Sequence, residues 1–145
     1  MSTKYWTPAP QPGDIVDCCF PEEVGKPGPK ERPALVIQVE EAPGAANRYN
    51  VEVAYATSQK TSKVYAGEFV VKADSMSGLT ADTKFDLLNT HLLPFDDMWF
   101  KVAPGEKHPR RGRLDITNLD IKKRLHSALV ATAAEQKRLN QKPAK

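Results

Sequence analysis

Long apolar runs are missing from this 145-residue chain. No stretch approaches the roughly 20 residues that span a bilayer, and no apolar signal core follows Met1. A cytoplasmic protein with no membrane partner is therefore expected. Cysteine is scarce: Cys18 and Cys19 are the only two, too few for a disulfide framework. Adjacent in a strand-like run, they point to opposite faces and read as reduced thiols packed as small apolar groups. The three histidines, His91, His108 and His126, are far apart, and no Cys, His and carboxylate set has ligand spacing. Neither a metal nor a cofactor is expected. A glycine-rich phosphate loop opening a helix is also lacking, which argues against nucleotide-driven chemistry. The neighbouring carboxylates Glu22/Glu23 and Asp96/Asp97 are contiguous in turn-like segments, where solvation explains them better than paired acid–base work.

What the chain has is ordinary for a globular protein: 40% hydrophobic and 27% charged residues, enough for one domain with a modest core. The charge is unevenly placed. Residues 1–100 carry 9 Lys/Arg against 14 Asp/Glu, a balance of −5, whereas residues 101–145 carry 12 against 4, a balance of +8. A basic C-terminal third suits a nucleic-acid backbone, an acidic protein or plain solvation.

Proline and glycine punctuate the rest. Residues 1–12 form a proline-rich flexible arm, with Tyr5 and Trp6 available to pin it. Strands are expected at Ile15 to Phe20, Pro33 to Val39, Tyr49 to Thr57 and Val64 to Ala73, with one or two more across Thr83 to Phe95. Asp96 to Phe100 is a candidate short edge. Several short strands joined by Gly/Pro turns describe a mainly β protein, a small, strongly bent barrel over residues 13–100. Residues 101–116 read as a basic link. From 117 to 140 a C-terminal helix capped by Thr117 or Asn118 is expected, with Ile121, Leu125, Ala128, Leu129 and Ala133 towards the barrel. Residues 141–145 are expected to fray.

The sharpest chemistry lies where a loop meets a strand. Gly25 to Glu31 cannot be regular, because Pro27 and Pro29 lack donors and the glycines tolerate unusual angles. Arg32 then opens the apolar run Ala34 to Val39. A planar charged fork at that hinge can meet a phosphate, although an arginine at a strand mouth more commonly pairs with a surface carboxylate. After the third strand come Thr57, Ser58, Gln59 and Lys60. Two hydroxyls, an amide and an ammonium, with Arg32, suit a phosphodiester and its phosphorane-like transition state. RNA brings its own nucleophile in the 2′-hydroxyl.

Gly13-Asp14-Ile15-Val16, then Gly25, then Arg32-Pro33-Ala34-Leu35-Val36-Ile37, then Ala56-Thr57-Ser58-Gln59 resembles the MazF/PemK family of toxin endoribonucleases. The match runs from Gly13 to Gln59 and rests on order and spacing together. Where the family usually has Ser-Glu-Gln after the loop glycine, this chain has Lys26-Pro27-Gly28.

The resemblance implies an SH3-like barrel, a homodimer and an antitoxin partner. It also implies cleavage of single-stranded RNA without metal, leaving a 2′,3′-cyclic phosphate and a 5′-hydroxyl. It puts catalysis on Arg32 and Thr57, with Lys30, Ser58, Gln59 and Lys60 as RNA contacts. Two other readings stand beside it. One is a gyrase poison of the related CcdB type, disfavoured by the Gln-Lys-Pro-Ala-Lys ending. The other is a non-catalytic barrel that binds protein or nucleic acid.

Overall fold

The computed structural model describes residues 3–23 and 25–140. Six strands and one helix follow in order: β1 (Asp14–Cys18), β2 (Arg32–Glu41), β3 (Tyr49–Thr57), β4 (Glu68–Val71), β5 (Thr83–Pro94), β6 (Arg110–Arg113) and α1 (Leu119–Asn140). All pairings are antiparallel, in the order β4-β5-β3-β2-β1-β6, and the sheet curls into a half-barrel. The alternation in Tyr49 to Thr57 becomes a strand of those bounds. Asp96 to Phe100 is not an edge strand: the Asp96 carboxylate accepts from the amides of Met98 and Trp99, folding the segment into a turn.

Both faces of the curled sheet are covered, which explains why all five residues of β1 are buried. One core gathers Val16, Cys18, Val36, Val53 and Phe95, closed by Trp6, Trp99 and Phe100. The other gathers Ile15, Leu35, Ala56, Phe85 and Leu87, closed by Leu79, Leu114 and Ala128. Fully burying each large apolar side chain contributes roughly 1.5–3 kcal/mol. Described residues of the proline-rich arm lie on the first core. The indole N–H of Trp6 donates to the Phe100 carbonyl at 3.0 Å, and its backbone amide donates to Phe95 at 3.0 Å.

A displaced register joins the two cores. Ala54 pairs with Thr90 and Tyr55 with Asp86, so Leu87, Leu88 and Asn89 have no partners on β3. An odd number of extra residues reverses which side chains face which side. Phe85 and Leu87 thus belong to one core, and His91 and Leu93 turn to the other face. Gly67, at φ +84°, lies against this bulge, where a Cβ would come within 2.9 Å of the Thr132 hydroxyl.

The span 101–116, expected as a link, contains β6. This strand has no apolar alternation; it is held by pairing with β1 and by two ion pairs, Arg110 with Asp14 and Arg111 with Asp17, each at 3.4 Å. In α1, Asn118 is the cap, its side-chain oxygen accepting from the amides of Asp120 and Ile121. The helix touches β4 and β5, so only a narrow stripe is covered. Ala128 and Thr132 are buried and Leu125 is partly so, whereas Leu129 and Ala133, expected on that face, are exposed. The expected frayed tail, 141–145, lies outside the described residues. Among those described, no helix is long and apolar enough to cross a membrane.

Candidate active-site cleft

Arg32 is the first residue of β2 and faces Cys18 across the pairing with β1. Its parity matches Ala34 and Val36, so its side chain leaves the sheet on the Val36 side. There its guanidinium carbon lies 5.9 Å from the centre of the Tyr55 ring. Arg32 makes no ion pair among the described residues, so the surface-carboxylate role is not taken up. Arg32 lines a cleft of about 370 Å³.

Three further segments build that cleft. Phe20 and Pro21 follow β1 as a floor, with exposed Glu22 and Glu23 at the rim. Tyr55 comes from β3. Asn89 and His91 come from the bulged half of β5. The rings are fitted together: Phe20 meets Tyr55 edge-on at 5.3 Å and His91 edge-on at 5.1 Å. Such contacts fix ring planes as well as burying area. The cleft therefore offers an aromatic lining, one cation, an amide, an imidazole and two carboxylates at its rim.

The loop before Arg32 is tied back to the backbone at Cys19 and Phe20. The Gly28 amide donates to the Cys19 carbonyl at 2.9 Å, and a Cβ on Gly28 would sit 2.1 Å from the Phe20 carbonyl oxygen. Only glycine allows that approach. Lys26 pairs with Glu23 at 3.7 Å, and Lys30 is exposed farther along the loop.

The other sequence-derived candidates lie beyond Tyr55. Thr57 ends β3, half-buried, on the side of the strand that carries Tyr55. Its hydroxyl oxygen accepts from the Gln59 amide at 3.1 Å, starting a turn. Continuing the Leu35–Ala54 register would set Arg32 across from Thr57, but the ladder stops at Leu35. Ser58, Gln59 and Lys60 are exposed on the turn, Lys60 at φ +53°. None of the four lines the cleft, which brings Arg32 together with Tyr55, Asn89 and His91 instead. No motif in the sequence surrounds Asn89, and His91 has no ligand-spaced neighbour to mark it. The pairing of His91 with Val53 would have revealed its face, but the three-residue bulge that produces this pairing carries no sequence signature.

Burial raises the thiol of Cys18 well above the ordinary range, with Cys19 and Asp17 acting in the same direction. Burial also raises the thiol of Cys19. Both cysteines are free. Their burial and raised thiols are those of packed apolar groups rather than nucleophiles. Among the described residues, no group of three or more His, Cys, Asp or Glu side chains is placed to hold a metal ion. No protein-family model matches the chain, and no curated protein matches it either.

Proposed function

We propose that the protein is a toxin endoribonuclease of the MazF/PemK kind, an SH3-like barrel that cuts single-stranded RNA in the Arg32 cleft. The observation that carries this reading is the Arg32 guanidinium, without an ion pair among the described residues, in an aromatic-lined cleft. No carboxylate among the described residues holds this arginine, so its fork would be available to a phosphate. Its planar fork would hold two phosphoryl oxygens as charge develops, while the partly buried Tyr55 ring would offer a surface for a base. Thr57, on the same strand face as Tyr55, would take a phosphate oxygen. Lys30, Ser58, Gln59 and Lys60 would follow the backbone outside the cleft. In this reading the protein is a cytoplasmic homodimer restrained by an antitoxin.

The test is incubation of purified protein with a long single-stranded RNA in EDTA, followed by end-group analysis. Cleavage leaving 2′,3′-cyclic phosphate and 5′-hydroxyl ends is expected. Arg32→Ala should fold normally and lose at least ~10²-fold in rate, the scale of one oriented donor. Arg32→Lys should restore only part, since an ammonium lacks the bidentate plane. A folded Arg32→Ala protein that cuts at the wild-type rate removes Arg32 from the chemistry.

A further inference from the structure

We infer that His91 accepts the 2′-hydroxyl proton in the Arg32 cleft, an assignment that rests on the RNA-cleavage reading above. Attack by a 2′-hydroxyl requires a group that can take its proton. A guanidinium stays charged in proteins and cannot take it. Imidazole is the side chain suited to that work near neutral pH.

The three histidines differ in their surroundings. Both ring nitrogens of His108 are committed to backbone, Nε2 to the Pro8 carbonyl at 2.7 Å and Nδ1 to the Arg110 amide at 3.0 Å. His126 is exposed on α1. His91 is half-buried, lines the cleft with Arg32, and has no hydrogen bond to its ring among the described residues. Its ring meets Phe20 at 81°, a packing contact that occupies no ring nitrogen. The titratable and charged groups sharing the cleft are Arg32 from β2, Tyr55 from β3, and Glu22 and Glu23 from the segment after β1. Of the two glutamates, Glu23 is paired with Lys26.

The step balances without a co-reactant. The 2′-hydroxyl proton passes to the unprotonated ring nitrogen of His91 as the O2′–P bond forms. The P–O5′ bond breaks, its electron pair goes to O5′, and O5′ takes a proton from water. The imidazolium returns its own proton to solvent. Arg32 meanwhile holds the phosphoryl oxygens.

The experiment compares wild type, His91→Phe and His91→Asn on an RNA whose cut sites have been mapped with wild type. Single-turnover rates are measured from pH 5 to 8.5, and binding is measured with the uncleavable 2′-O-methyl strand. His91→Phe keeps a ring against Phe20, and His91→Asn removes it, so a packing defect in one is read against the other by thermal midpoint. Both should lose ~10²–10⁴-fold in rate at pH 7. Both should also lose the acid limb of the wild-type rate profile. Binding should stay within about threefold, as befits a proton-transfer group rather than a binding one. A folded variant that cuts within tenfold of wild type overturns the assignment, as does a slow variant that keeps the acid limb. In either case cleavage that still depends on Arg32 leaves the ribonuclease reading standing. Intact RNA with the wild-type protein overturns both.

Discussion

At the scale of single residues, Asp96 shows how a buried carboxylate shapes the fold. It is 5% exposed, and it accepts from the amides of Met98 and Trp99, which turns the chain so that Trp99 and Phe100 enter the first core. Burial raises its carboxyl above the ordinary value, with adjacent Asp97 acting in the same direction; the two hydrogen bonds and Lys101 oppose them. The folded state therefore holds this proton to a higher pH than the unfolded chain, where aspartate titrates near 3.9. Its stabilising contribution is greatest when protonated and falls as pH rises through the folded-state value. Asp96→Asn keeps an acceptor oxygen and removes the charge. Its thermal midpoint should exceed that of wild type at pH 7, with the difference vanishing near pH 3. A lower midpoint at pH 7 would show that the turn requires the full carboxylate.

At the scale of elements, Lys84 fastens the connection after β3. This 5%-exposed lysine of β5 donates to the carbonyls of Lys63 at 2.8 Å and Lys60 at 3.3 Å. It also lies 3.3 Å from the Glu68 carboxylate, which accepts from the Tyr65 amide. One ammonium thereby closes the turn that begins with Ser58. Methionine has similar length and no donor, so Lys84→Met removes the donor to the Lys63 carbonyl and the cation beside Glu68, and leaves the Lys60 carbonyl with the Lys63 amide alone. A loss of about 2–4 kcal/mol is expected from a denaturant midpoint. Amide exchange should quicken at Lys63 and Glu68, whose N–H groups bond within this turn. Unchanged exchange there would deny the fastening role.

Elements were legible in the sequence to different degrees, for physical reasons. Alternating residues in β3 and the run after Pro33 announce strands because each strand's own side chains define its buried face. Nothing in Arg-Arg-Gly-Arg announces β6; its pairing with β1 and the buried Asp14 and Asp17 create it. The same division runs through the cleft. Arg32 stood out because a breaker-rich loop precedes it and an apolar run follows. Asn89 and His91 depend on a bulge set by tertiary register, and Phe20 faces the cleft through contacts across the sheet.

At the scale of the whole molecule, six basic residues of the C-terminal third, Arg110, Arg111, Arg113, Lys122, Lys123 and Arg124, divide into two sets. Arg110 and Arg111 are bound to buried Asp14 and Asp17, and Arg124 bonds Asp120 at 3.0 Å and the Val70 carbonyl at 3.1 Å. Arg113, Lys122 and Lys123 are exposed. Arg113 pairs with Asp14 at one end of β1, whereas Arg32 pairs with Cys18 at the other. Four residues of strand separate the ends by roughly 13 Å. Lys122 and Lys123 lie on α1, which packs against β4 and β5, the far edge of the sheet from β6. Charges spread over β6 and α1 would, under the proposed function, suit an acidic protein that wraps the molecule. Under the proposed function, changing Arg113, Lys122 and Lys123 together to Gln should leave stability within about 0.5 kcal/mol and cleavage of free RNA unchanged. Binding of the acidic antitoxin should weaken, with a shallower salt dependence. Arg110→Gln with Arg111→Gln should instead lower stability by about 1–3 kcal/mol, because Asp14 and Asp17 lose their partners. Thermal midpoints, cleavage rates and antitoxin titrations across salt separate these outcomes. Slower cleavage by the triple variant with undiminished antitoxin binding would assign the exposed set to RNA.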